Sequence, residues 1–174
     1  EVYRQIRNAV PILDAAIGKL VRLTGGFDVC CANPAAERAL RQFLKSMNVG
    51  RGQVGIESFL AAFLQSMLVY GRAVGEMVVG GNEIAAVLWG DVTKLYVQEG
   101  DSPLDFAFGQ WQGGEVKIFP RQNLILFAAW NPDEENPYGT SVFRSMPFLV
   151  DVLLKIYSTI GTNWERAGNV RYSV

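Results

Sequence analysis

A chain of 174 residues without one histidine lacks much of the usual catalytic repertoire. Ser–His and Cys–His nucleophiles, imidazole acid–base work and His-ligated zinc all need the missing ring. Carboxylates remain as a route to acid–base chemistry. Glu76, Asp91 and Asp105 fall on or beside expected strands, where burial can raise a carboxyl pKa. A His-free carboxylate- or metal-dependent hydrolase centred on them is the enzymatic alternative. Nothing in their spacing brings two of them together, so edge and turn positions are expected, with no catalytic residue. Asn131, Asp133, Glu134, Glu135 and Asn136 crowd oxygen ligands into one loop, which would suit a hard cation. The spacing and glycine of an EF-hand are missing, so a solvated acidic loop without metal is expected.

Gly50, Gly52 and Gly55 match G-x-G-x-x-G and open a helix, with Glu76 about twenty residues on. A dinucleotide site needs a strand before the glycines. Here a helix precedes them and a hairpin follows, so an interhelical loop is expected and no cofactor. Cys30 and Cys31 are adjacent. A vicinal disulfide is strained, and successive strand side chains point to opposite faces. Both therefore read as free thiols in an apolar strand, suited to synthesis in a reducing cytoplasm. Trp89, Trp111, Trp130 and Trp164 are not interleaved with Arg and Lys as base stacking requires. Trp130 and Trp164 read as core or interface anchors.

These side chains must be held by elements that the periodicity outlines. Ile6, Val10, Leu13, Ile17 and Leu20 mark one face of a helix, which Pro11 either starts or kinks and Gly25-Gly26 ends. Phe27–Cys31 reads as a short strand. Asn33-Pro34 caps a second helix with Leu40, Phe43, Leu44 and Met47 as its buried stripe. After a loop at Gly50–Gly55, a third helix carries Ile56, Phe59, Leu60, Phe63, Met67 and Tyr70 and closes at Gly71. Strands are expected at Ala73–Val79 and Glu83–Trp89 around Gly80-Gly81-Asn82. More are expected at Lys94–Gln98, Leu104–Trp111, Val116–Phe119 and Leu124–Ala129, with turns at Asp101-Ser102-Pro103 and Gln112-Gly113-Gly114.

Val142, Met146, Leu149, Leu153, Ile156, Ile160 and Trp164 then trace the longest helix. Thr140 or Ser141 caps it, Pro147 kinks or divides it, and Gly168 ends it. At roughly 28 residues it spans about 40 Å, longer than a domain of this size needs for its own core. Tyr157, Ile160 and Trp164 are therefore candidates for contact with another subunit. The competing expectation is a helix lying across the whole sheet, and under either one Leu153→Asp should unfold the chain.

Helices, an antiparallel meander and a long C-terminal helix make the α+β class, with residues 1–174 expected as one domain. Hydrophobic residues at 49% and charged residues at 19% argue against disorder. No apolar run is long enough to span a membrane. EVYRQIRNAV has neither Met nor the layout of a signal peptide, as expected of a segment from a longer gene product. Sixteen basic against seventeen acidic residues leave a net charge of −1, too little surplus for a tight static DNA binder.

Three segments resemble portal proteins of tailed bacteriophages, especially those of phages or prophages of Gram-positive bacteria. VYRQIRNAVPILDAAIGKLVRLTG resembles the first portal helix. FLQSMLVYGRAVGEMVV resembles the family's passage from a helix ending at Tyr-Gly into a strand with an acidic residue. NPYGTSVFRSMPFLVDVLLKIYSTIGTNWERAGNV resembles its Tyr-Gly-Thr-Ser turn and long helix. The resemblance implies a non-enzymatic subunit of a homo-oligomeric ring, dodecameric in the full-length protein, at the capsid vertex of a virion. It also implies partners: the terminase large subunit, scaffold and capsid proteins, and head-completion proteins. Double-stranded DNA would pass through the channel without sequence-specific binding. The segment resembles the wing region, with the stem, clip and tunnel helix absent. Tyr138, Gly139, Thr140 and Ser141 would then be a structural turn that launches the long helix. Another phage capsid or tail adaptor is the remaining alternative.

Overall fold

Helix α4 (Ile56–Tyr70) is apolar on nearly every side because both of its sides are covered. A helix that is hydrophobic all round belongs between layers. One side carries Phe59 into a cluster with Met47 and with Val49 and Val87 of the sheet. The other side carries Leu68 and Val69 against Ile17 and Val21 of helix α2 (Pro11–Thr24). The structure, a computed structural model, describes residues 2–24, 26–100, 106–133 and 135–168. The architecture is α+β, with N-terminal helices, antiparallel strands and a long C-terminal helix.

Helix α1 (Val2–Ala9) precedes α2, and Pro11 starts the second helix rather than kinking one longer one. Val10 sits between them, and its amide still donates to the Ile6 carbonyl. Val21, not Leu20, completes the buried line of α2. Gly25, expected as part of the stop, lies outside the described residues. Helix α3 (Pro34–Ser46) has the expected cap, with Asn33 Oδ1 accepting from the amides of Ala35 and Ala36. Its apolar stripe is only half covered: Leu40 and Leu44 are partly buried, Phe43 is exposed and Met47 alone is buried.

Phe27–Cys31 is not a strand. Its polar backbone groups find side chains of α3 instead of a neighbouring strand. The Cys31 amide donates to Glu37 Oε2, and the Val29 carbonyl accepts from Arg41 Nη2. Arg41 also pairs with Asp28 and Glu37. Both cysteines are free thiols, Cys30 exposed and Cys31 partly so.

Gly50–Gly55 is not a plain loop. It contains a small hairpin, β1 (Asn48–Gly50) and β2 (Gln53–Val54), turned by Arg51-Gly52. The five-stranded sheet has the order β2-β1-β4-β3-β8, where β3 is Arg72–Gly80, β4 is Glu83–Trp89 and β8 is Ile125–Ala129. Among the described residues only β1 and β4 pair in parallel.

The remaining strands, β5 (Leu95–Glu99), β6 (Phe106–Gln112) and β7 (Glu115–Ile118), form a second sheet of three. The expected meander is thus split between two sheets. Asp91 redirects the chain after β4: its carboxylate accepts from both the amide and the hydroxyl of Thr93, and Val92 is driven inward to 3% exposure. Gln122 ties down the central strand of the small sheet by bonding to both backbone groups of Phe108 and to the Phe119 carbonyl. The Asp101-Ser102-Pro103 turn and residues 104–105 of the expected strand lie outside the described residues.

Helix α5 runs Met146–Gly168, 23 residues. It starts later than expected because Ser141 is used elsewhere. Residues 142–145 form tight turns in which the amides of Arg144 and Met146 bond to the carbonyls of Ser141 and Phe143. Pro147 falls in the first turn of the helix, where its missing N–H costs nothing. No helix among the described residues is long and apolar enough to cross a membrane.

Candidate subunit interface

Two Tyr-Gly turns are fitted into each other at the root of α5. Gly71 closes α4 with φ +81°, and Gly139 turns with φ +83°. A Cβ on Gly139 would stand 2.1 Å from the Gly71 carbonyl oxygen, and one on Gly71 would stand 2.6 Å from the Ser141 nitrogen. Neither position can hold another residue without moving backbone. A helix leaves its last carbonyls without intrahelical donors, and here the segment after Gly139 supplies them. Val142 N–H donates to the Leu68 carbonyl at 3.1 Å. Ser141 Oγ donates to the Val69 carbonyl at 2.6 Å and accepts from the Phe143 amide at 3.0 Å. The Trp130 amide donates to the Gly71 carbonyl, and the Thr140 amide to the Trp130 carbonyl, each at 2.7 Å.

The acidic loop serves this turn. Asp133 Oδ1 accepts from the Asn136 amide, and Asn136 Nδ2 donates to the Gly139 carbonyl and to Thr140 Oγ1. Among the described residues no group of three or more Cys, Asp or Glu is placed to hold a metal ion. Glu134 lies outside them. Tyr138 donates its hydroxyl to Glu99 of β5. That bond, chiefly, pushes the phenol pKa up to about 12, and it ties the small sheet to the turn.

From this root α5 leaves the body. Met146, Val150 and Leu153 pack against Ile6 and Val10. Beyond that, Leu153 apart, every residue from Asp151 to Ala167 is exposed. The expected alternative, a helix lying across the sheet, is therefore not what the chain forms. Tyr157 is 54% exposed, Ile160 55% and Trp164 80%. Leu149 and Ile156 are exposed beside them, and Val152, Lys155, Ile156, Thr159 and Ile160 line a shallow groove. Soluble surfaces rarely show so long an apolar stripe without a partner.

The catalytic candidates do not assemble. Glu76 and Asp91 reach the rim of one cleft of about 200 Å³ between the sheets, but both are exposed. Asp91 is held below the usual carboxylate range, first by the Thr93 hydroxyl, whereas a general acid needs its pKa raised. Asp105 lies outside the described residues. Gly50, Gly52 and Gly55 are spent on the β1–β2 reversal and the start of α4, so no strand-to-helix phosphate loop forms. Trp89 packs partly buried on the core, and Trp111 meets Tyr96 edge-on on the small sheet. Sequence reasoning missed the outer face of α2, where Ile12 is 71% and Leu23 73% exposed. The four, four, three spacing of Ile12, Ala16, Leu20 and Leu23 was the available signal.

No protein-family model matches the chain, and no curated protein matches it. Solved structures do. A chain in the virion of the native gene transfer agent (GTA) particle has a TM-score of 0.70 at 14% identity, covering 100% of this chain and 46% of that one. A chain in the neck of the native GTA particle, computed with C12 symmetry, has a TM-score of 0.69 at 15% identity, covering 99% and 46%. One in the neck of the empty particle, computed with C6 symmetry, has 0.69 at 16%, covering 99% and 47%. At these identities the likeness is one of fold, and the chain spans a little under half of those chains.

Proposed function

We propose that the chain is a structural, non-enzymatic subunit of the head–tail connector of a phage-like particle, and within it the wing region of a portal ring. The observation that carries this reading is the fold shared, over 99–100% of the chain, with subunits of a GTA virion and its neck. The order of the portal-like segments supports it. So does the bare far half of α5, which asks for a protein partner and offers no pocket for a substrate.

On this reading residues 1–174 are one α+β domain, and Tyr138, Gly139, Thr140 and Ser141 form the turn that fixes α5. Tyr157, Ile160 and Trp164 face a neighbouring subunit. The ring is homo-oligomeric, dodecameric in the full-length protein, and sits at the capsid vertex. It meets the terminase large subunit, scaffold and capsid proteins, and head-completion proteins. Double-stranded DNA passes through it during packaging and ejection, and a net charge of −1 suits a wall along which DNA slides. A neck or capsid adaptor is the second reading, favoured by the two neck structures.

Negative-stain electron microscopy of the protein, with and without its scaffold, tests the proposal. Rings with a central channel are expected at the vertex of assembled heads. Rings found only stacked on a separate portal would favour the adaptor, and monomers under both conditions would contradict either reading.

A further inference from the structure

Two arginines of α1 and one at the tip of the β1–β2 hairpin line a single cavity. Arg4 and Arg7 lie three residues apart on α1, so they share one face of that helix. Arg51 comes from the two-residue turn between β1 and β2. The cavity holds about 330 Å³ and is lined further by Gln65 and Tyr70 of α4, by Trp89 and by Asp91. Three guanidinium groups thus meet one carboxylate among the described lining residues. Like charges gathered in this way repel unless an anion joins them.

The charged groups are not equally engaged. Arg7 is held from two sides: Asp14 Oδ1 accepts from its Nε, and the Gln65 amide oxygen accepts from its Nη groups. Asp91 is occupied too, since its Oδ1 accepts from the amide and hydroxyl of Thr93. Arg4 and Arg51 enter none of the ion pairs formed among the described residues. The backbone at Arg51 is a second observation. Its φ is +51° and that of Gly52 is +75°, so both central residues of the turn are left-handed. Gly, Asn or Asp normally takes the first place of such a turn, because a Cβ there crowds the following carbonyl. A long side chain does nothing for the turn itself, whereas this one reaches the cavity. Backbone strain held in this way clusters at functional sites.

We infer that the cavity binds the phosphate of a nucleotide, with Arg4 and Arg51 donating to its oxygens and Arg7 adding a fixed positive charge. Guanidinium forks present paired N–H donors that match phosphate oxygens. The room exceeds what an ion alone needs and falls in the range of small-molecule sites. Tyr70 and Trp89, both partly buried, give the attached nucleoside an aromatic lining. All of this lining comes from one copy, so binding does not depend on a ring.

Isothermal titration calorimetry of the protein at low ionic strength tests the site, with AMP, inorganic phosphate and a short DNA duplex as probes. AMP should bind more tightly than inorganic phosphate. Arg51→Gly should weaken AMP binding about tenfold, the size of one charged hydrogen bond. Arg4→Gln should weaken it similarly, and Arg38→Gln, at an exposed arginine of α3, should leave it unchanged. Arg51→Gly also relieves the turn, so its melting temperature should rise, which separates lost binding from lost fold. Binding of the duplex alone, with the same dependence on Arg51, would support the phosphate site and identify the DNA backbone as its source. A polyglutamate peptide binding as tightly as AMP would overturn the inference in favour of a protein partner's carboxylates. No binding of any probe, or AMP binding unchanged in Arg51→Gly, would overturn it outright.

Discussion

At the root of α5 the carbonyls of Leu68 and Val69 accept from Val142 and Ser141, and two glycines touch where no Cβ fits. Along its far half, Asp151–Ala167, the same helix, Leu153 apart, has only itself: the Asp151–Lys155 pair at 2.6 Å and the hydroxyls of Thr159 and Thr162 folded back on the preceding turn. Both regions are apolar and periodic in sequence. One is locked by groups of its own chain, and the other is left open. An isolated helix of this length is marginal in water without a packed face. The difference teaches that periodicity reports which face needs cover, not which molecule supplies it.

The sharpest way to break the comparison is at the root. Gly139→Ala combines a left-handed backbone, about 1–2 kcal/mol, with overpacking of ~1–3 kcal/mol. Denaturant unfolding should therefore show a loss of about 4 kcal/mol. Val150→Asp places a charge among Ile6 and Val10 and should cost about 3 kcal/mol by the same measurement. Leu153, half-buried at the edge of that cluster, should respond less than Val150, so Leu153→Asp weakens the chain without unfolding it. Ser141→Ala strands the Val69 carbonyl and should cost about 2 kcal/mol.

The far half should behave in the opposite way. Ile160→Asp should change unfolding by under about 0.5 kcal/mol yet abolish assembly, read by mass photometry. Equal losses at Val150 and Ile160 would erase the distinction between the regions.

The smallest effect is at Tyr138. Its folded pKa, about 12, lies above the ordinary ~10 of a phenol. The Glu99 hydrogen bond therefore contributes fully below pH ~10 and is lost as pH rises through about 12. In ultraviolet titration, Tyr138→Phe should remove one late-titrating phenol. For Asp91 the sign is reversed. Its lowered pKa makes its contribution present above the usual carboxylate pKa of ~4 and lost on further acidification.

The helices with strong local signals were legible: Asn33-Pro34 caps α3, Gly71 ends α4, and the hairpin turns at Gly81-Asn82 as its residues indicate. What was not legible depends on contacts remote in sequence. Phe27–Cys31 has strand-like residues but no strand to pair with, because Arg41 and Glu37 take its backbone groups first. Ser141 has the type and place of a helix cap, yet its hydroxyl is drawn to Val69, across seventy-two residues. The β5–β7 strands were visible singly, while their separation into a second sheet rests on the Asp91–Thr93 turn. At the candidate interface, Tyr157, Ile160 and Trp164 could be picked out because a helix too long for its own core must expose something. The α2 stripe was hidden by its neighbour, since Leu13, Ile17 and Val21 lie one residue along from it and account for the same periodicity.

Hydrogen–deuterium exchange across α5, in dilute monomer and in assembled particles, tests most directly whether the far half of this helix is an assembly surface. The account predicts fast exchange from Asp151 to Ala167 in the monomer, slow exchange at Met146–Val150, and strong protection of the whole helix on assembly. Slow exchange along the far half of the monomer, or none of its amides gaining protection in the particle, would contradict it.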